Sequence, residues 1–152
     1  MPKEIEKKYL VNDNSFESLA CEKHHITQSY LVAEDDIVVR IRMIDDKAFL
    51  TIKGKNNGPV RYEWERKISK SDAVEMLKSL PIVGTIEKTR YKVDAGRGLS
   101  WEIDRFHGRN EGLILAEIEL TDESVDVILP NFIGKEVTSD PRYYNSNLAK
   151  LQ

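Results

Sequence analysis

Glu4 and Glu6 stand two residues apart in the stretch EIEKK, with Lys8 two further on. The same spacing of charge recurs along the chain. Arg40 and Arg42 repeat it in RIR, Thr51 and Lys53 in TIK, Glu63 and Glu65 in EWE, and Lys88 and Arg90 in KTR. Glu102 and Asp104 follow in EID, and Glu117 and Glu119 in EIE. Carboxylates are hard oxygen ligands suited to Mg²⁺ or Mn²⁺. Arginine forks and lysine ammoniums suit phosphate oxygens. What such groups do depends on whether the chain gathers them on one surface.

The elements that carry them read as strands. Alternate side chains of a strand share a face, and the residues between the charges are mostly apolar: Ile5, Ile41, Ile52, Trp64, Ile103 and Ile118, with Thr89 the exception. Eight stretches show this period: EIEKKYLV, ITQSYLV, IVVRIRM, AFLTIKG, VRYEWERKI, IEKTRYKV, LSWEIDRF and LILAEIEL. The separators are turn chemistry, such as DDK around Asp45 and AGRG from Ala95, and most are of hairpin length, which predicts antiparallel neighbours. Helices are predicted in three places. KSDAVEMLKSLP offers Ser71 or Asp72 as a cap and Pro81 as a stop. TDESVDVILP, from Thr121 to Pro130, carries the same signals, and DPRYYNSNLAKL has Asp140 as cap with Pro141 in the first helical position. The last is short and polar, so it depends on docking.

Length and composition bound the rest. The 152 residues fit a single domain over positions 1–152, and 40% apolar with 32% charged residues is the make-up of a globular protein with a surplus of charge. A net charge of −3 provides no basic field for nucleic acid or membrane surfaces. A lone cysteine, Cys21, excludes an intramolecular disulfide, and no apolar run has the length of a signal-peptide core or membrane span. A cytoplasmic protein is expected. His24, His25 and His107 have no metal-ligand spacing and are expected at the surface. Trp64 and Trp101 fall on the non-ionic face, and an exterior this apolar calls for cover by helices or by a second copy, as in a homodimer.

Two placements satisfy the alternation. The ionic faces could point to water from an ordinary antiparallel sheet, or inward, since eight strands can close a barrel around side chains or one small ligand. The charged positions are almost purely ionic, eight carboxylates and six bases, where a solvent face would mix in serine, threonine and glutamine. Inward, these charges must be wet, mutually paired or occupied by something highly charged. The pattern alone does not choose.

Taken in order, the seven motifs EIEKK, RIR, TIK, EWE, KTR, EID and EIE, followed by GKEVTSDPRYYNSNLA, resemble the CYTH domain family of triphosphate tunnel metalloenzymes, the class IV adenylate cyclase and thiamine triphosphatase superfamily. The resemblance implies a mainly β, α+β fold: an eight-stranded antiparallel closed or nearly closed barrel, the triphosphate tunnel, with flanking helices and a C-terminal helix. It implies that Lys8, Arg40, Arg42, Lys53, Lys88 and Arg90 hold a small-molecule triphosphate, with Lys8, Lys88 and Arg90 taking part in the chemistry. Glu4, Glu6, Asp104, Glu117 and Glu119 would hold Mg²⁺ or Mn²⁺, as two ions, and Glu63, Glu65 and Glu102 would support that site. Without metal the acids outnumber the bases and the tunnel repels a polyanion. The implied activity is metal-dependent hydrolysis of a phosphoanhydride, with inorganic triphosphate favoured because it needs nothing beyond the tunnel. An adenylate cyclase would need a pocket for adenine and ribose, and a nucleoside or thiamine triphosphatase one for its third substituent. A non-catalytic polyphosphate-binding module would keep the bases without needing every carboxylate.

Overall fold

The computed structural model describes residues 3–150. Nine strands form one sheet: β1 (Lys3–Val11), β2 (Glu22–Ala33), β3 (Ile37–Ile44), β4 (Lys47–Gly54), β5 (Val60–Ile68), β6 (Gly84–Gly96), β7 (Leu99–Phe106), β8 (Ile114–Glu119) and β9 (Ile133–Glu136). Their order is β5-β4-β3-β2-β6-β7-β8-β1-β9, every recorded pairing is antiparallel, and β5 also pairs with β1. That last pairing closes an eight-stranded barrel through three residue pairs: Lys3 with Tyr62, Glu4 with Arg61 and Ile5 with Val60. The ninth strand, not anticipated from sequence, lies outside the ring against β1. The β6–β7 turn explains its glycines: Gly96, Arg97 and Gly98 all take positive φ, a run two of whose three residues have no Cβ to clash.

The apolar faces of the strands point outward and are covered. Trp101, Ile103 and Ile118 lie under a short 3-10 helix at Ser15–Leu19 and under the segment from Leu120 to Ile133, where Tyr9 meets Trp101 edge-on with ring centroids 5.5 Å apart. Helix α1 (Lys70–Ser79) covers Ile41 and Ala48 with its buried Ala73. Its cap is Ser69, whose hydroxyl accepts from the Asp72 amide, two or three positions before the candidates read from sequence. Trp64 is half-buried, with the Arg66 guanidinium 4.9 Å from its ring centre.

Thr121–Pro130 is not a helix. Asp122 accepts the backbone amide and hydroxyl of Ser124, closing a local turn that competes with helical bonding. Beyond it Val125 and Val127 pack on the core while Asp126 and Ile128 are exposed, a period of two in an extended strap. The C-terminal segment divides as well. Asp140 caps a 3-10 turn at Pro141–Tyr143, and α2 (Asn145–Lys150) begins only after it.

One end of the barrel is filled with apolar side chains. Tyr30, Val38, Ile86, Phe106 and Leu115 are buried together with Leu148 and Ala149 of α2. Each barrel residue of this plug lies two positions from Gln28, Arg40, Lys88, Asp104 or Glu117, so the plug and the charges share the inner face. The tail docks closely: a Cβ on Gly84 would lie 2.2 Å from the Ala149 carbonyl oxygen. Among the described residues no helix is long and apolar enough to cross a membrane.

Candidate active site

The charged inner face bounds a cavity of about 250 Å³. Every sequence candidate lines it except Asp104. The cross-strand register sets who meets whom. Lys8 faces Glu117, Lys53 faces Glu63, Arg90 faces Asp104 and Thr51 faces Glu65. Two pairs set like charges directly opposite: Glu6 with Glu119 and Glu102 with Glu117. Such pairs destabilise a sheet, so the fold carries here a tension that a cation would relieve.

Ion pairs tie the walls together. Lys53 Nζ donates to Glu4 Oε1 at 2.9 Å and stands 3.4 Å from Glu63. Arg90 grips both oxygens of Asp104, at 2.8 and 2.9 Å, and reaches Glu102 at 3.3 Å and Glu117 at 3.4 Å. Lys88 Nζ lies 2.8 Å from Asp104 and donates to Asn145 Oδ1 at 2.7 Å. Lys8 Nζ donates to the Tyr143 carbonyl at 2.9 Å and lies 3.9 Å from Glu117.

Asp104 is 1% exposed, and both its oxygens are taken by Lys88 and Arg90. It stands between these two cations at the cavity wall. Burial alone would raise its pKa, yet Arg90 and Lys88 hold it below the usual carboxylate range. Burial likewise works against the charge on Glu117, and Lys8, the bond from Glu6 and Arg90 outweigh it, pulling Glu117 well down. Glu6 takes the opposite course: burial, then Glu117 and Glu4, push it well up. The pKa values of Glu6 and Glu117 are thus driven apart, the effect that two carboxylates crowded into one site have on each other.

The cations show a matching excess. Burial, then Arg40 and Arg90, lower Arg42 to about 10. Among the described residues Arg42 makes no ion pair, and its Nε donates to the neutral Gln28 at 2.8 Å. Arg40, 5% exposed, has among the described residues no hydrogen-bond partner for its buried Nε and one carboxylate within ion-pair reach, Glu65 at 3.7 Å. Buried donors are almost always satisfied, so this wall is short of an anion. Burial also lowers Lys88 to about 7, against the pull of Asp104.

Several lining residues were not singled out from the sequence. Arg61 donates from Nε and Nη2 to the Gly54 carbonyl, at 3.0 and 2.7 Å, and burial followed by Arg40 lowers its pKa. Its signal was present, two residues before Glu63 on the same strand face. Tyr144 and Asn145 enter from the tail, where no period of two could announce them. Lys8 Nζ sits 5.8 Å from the Tyr144 ring centre. His24, His25 and His107 lie away from the cavity and pair with surface partners: His24 with Glu22 and Asp45, His25 with Glu87, and His107 with Thr89.

Barrel and cavity together set the class: an antiparallel eight-stranded barrel with paired acids and bases on its inner face. The chain belongs to the CYTH domain family, whose model matches residues 2–149. It is 47% identical to an inorganic triphosphatase of Acetivibrio thermocellus over 150 residues, 99% of this chain and 95% of that one. An inorganic triphosphatase of Nitrosomonas europaea is 35% identical, with 96% of each chain covered. A solved inorganic triphosphatase structure superposes with a TM-score of 0.68 at 30% identity, covering 100% of this chain and 97% of that one.

Proposed function

We propose that the protein is a divalent-metal-dependent inorganic triphosphatase, which splits tripolyphosphate and water into pyrophosphate and orthophosphate. The carrying observation is the pair Arg40 and Arg42, enclosed in the lumen wall and, among the described residues, with an unpartnered Nε on one and no ion pair on the other. Phosphate oxygens are the acceptors that geometry lacks. The two named triphosphatases, matched over nearly their whole lengths, support the same reading.

The donor set fits a divalent metal. Glu4, Glu6, Glu117 and Glu119 are hard-oxygen donors lining one cavity, with Glu6 directly opposite Glu119 and its pKa pushed well up by burial and then by Glu117 and Glu4. Among the described residues no three acidic, histidine or cysteine side chains stand ready to hold an ion. Mg²⁺ needs no such cage, because it is commonly held by one or two carboxylates with waters and substrate phosphates completing the shell. A bound ion would supply charge neutralisation at the phosphates and a more acidic water. Asp104 is then a positioning residue that holds Lys88 and Arg90. Arg40, Arg42 and Arg61 bind the chain of phosphates, and Lys53 holds Glu4 in place. Lys8 and Lys88 reach the lumen with ammonium donors that can stabilise charge on a departing phosphate. Glu63, Glu65 and Glu102 orient Lys53, Arg40 and Arg90.

The plug of Tyr30, Ile86, Phe106 and Leu115 fills that end with buried apolar side chains, which favours the inorganic substrate over nucleotides. Removal of divalent ions by a chelator is expected to abolish phosphate release from tripolyphosphate, and added Mg²⁺ or Mn²⁺ to restore it. Undiminished release in chelator would overturn the metal-dependent reading.

A further inference from the structure

Gln28 is 0% exposed, an uncharged amide at the centre of a charged barrel. A buried amide is costly unless its hydrogen bonds are met, and here both ends are used. Its Oε1 accepts from Arg42 Nε at 2.8 Å, and its Nε2 donates to the Tyr30 hydroxyl at 2.9 Å and to Asn145 Oδ1 at 3.4 Å. The same Asn145 oxygen accepts from Lys88 Nζ at 2.7 Å. Two neutral amides thus join β2, β3, β6 and α2 into one hub, with a substrate-facing cation at each end.

We propose that Gln28 and Asn145 are positioning residues: Gln28 fixes Arg42 without neutralising it, keeping its charge for the phosphate chain, and Asn145 braces Gln28 and aims Lys88, already paired with Asp104, without adding a second carboxylate to it. The inference rests on the lumen being the triphosphate site. Its ground is the contrast with the other cations. Lys53, Lys88 and Arg90 are each held by a carboxylate, which spends part of their charge inside the protein, whereas Arg42 among the described residues has none. A glutamate at position 28 could accept the same bond from Arg42 and would hold it more strongly, since charge-assisted bonds are about twice as strong as neutral ones. The amide gives up that strength and leaves Arg42 whole. Arg42 is also the cation with Arg40 and Arg90 for neighbours, where a fixed position is hardest to keep without a partner.

Asn145 can do this only because the tail is anchored. Leu148 and Ala149 are buried in the plug, Arg109 donates to the Ala149 carbonyl at 3.1 Å, and the Asn110 side chain donates to the Leu148 carbonyl. The tail therefore completes the site by contributing an acceptor that no strand supplies.

The test uses Gln28→Glu and Asn145→Asp in the full chain, with calorimetric titration of tripolyphosphate in Mg²⁺, phosphate release and thermal melting measured on each. Both variants are expected to melt at or above the wild-type temperature, because each gains an ion pair. Both should weaken tripolyphosphate binding by about tenfold or more, the loss expected when a charge-assisted bond is taken away. A merely structural role would show the reverse, a lower melting temperature with unchanged affinity. Tripolyphosphate affinity equal to wild type in both variants would overturn the proposal. Should Gln28→Glu lose its melting transition, Asn145→Asp, at a half-buried position, decides by the same criterion. Wild type that binds tripolyphosphate but releases no phosphate would sink the hydrolase reading alone, leaving this one to the affinities of the variants.

Discussion

Replacing Glu117 by glutamine is expected to lower phosphate release from tripolyphosphate by roughly a hundredfold or more, the scale seen when a charged group near a metal or a developing anion is removed. Glu117 is the meeting point of the site. Its oxygens lie 3.4 Å from Arg90 and 3.9 Å from Lys8, it faces Glu102 across the sheet, and its charge helps push the pKa of Glu6 well up, after burial. Glutamine keeps the shape and a hydrogen-bonding oxygen while removing the charge. Arg90 still has Asp104 and Glu102, and Lys8 keeps its bond to the Tyr143 carbonyl after losing a carboxylate 3.9 Å away, so the melting temperature should move far less than the rate. The metal requirement should rise, seen as a higher Mg²⁺ concentration at half-maximal rate. Full activity with an unchanged Mg²⁺ titration would remove Glu117 from the metal site.

The second large effect is expected at Arg42, where alanine should raise the KM for tripolyphosphate by about tenfold or more. One charge-assisted bond is worth roughly 1.5–3 kcal/mol and about 1.4 kcal/mol is tenfold. The sign for stability differs from that for binding. Arg42 sits in the field of Arg40 and Arg90, so its removal relieves repulsion while it strands the Gln28 oxygen. These oppose each other, and the melting temperature should change far less than the affinity. Any residual activity on ATP should fall in the same proportion, because a nucleotide presents the same phosphates to that arginine. An unchanged KM for tripolyphosphate would show that Arg42 does not bind substrate.

Much of this was legible before the fold was known, because a period of two transmits a face. Glu4, Glu6 and Lys8 could only share a side, and the register then carried that side into the lumen. The inward choice was not legible from alternation, since water and a lumen ask for the same pattern. Family resemblance supplied it. Arg61 was missed although its spacing from Glu63 was plain, because the ionic pair was read as starting at the glutamate. The family resemblance is what puts Asp104 among the expected metal ligands. Nothing in the sequence says that Lys88 and Arg90 would take both its oxygens at the wall. The stretch from Thr121 to Pro130 has cap and stop residues without helical packing to use them, and Val125 and Val127 found the core as an extended strap. Asn145 and Tyr144 reach the site through docking of a six-residue helix, a tertiary event with no local signature.

The most direct measurement is the identity of the products that the wild-type protein forms from tripolyphosphate and from ATP, each with Mg²⁺ and with Mn²⁺, followed by phosphorus NMR. Tripolyphosphate should be consumed faster than ATP and give orthophosphate and pyrophosphate in equal amounts. Turnover of ATP far above that of tripolyphosphate, with cyclic AMP and pyrophosphate as products, would contradict the hydrolase and make the barrel a cyclase.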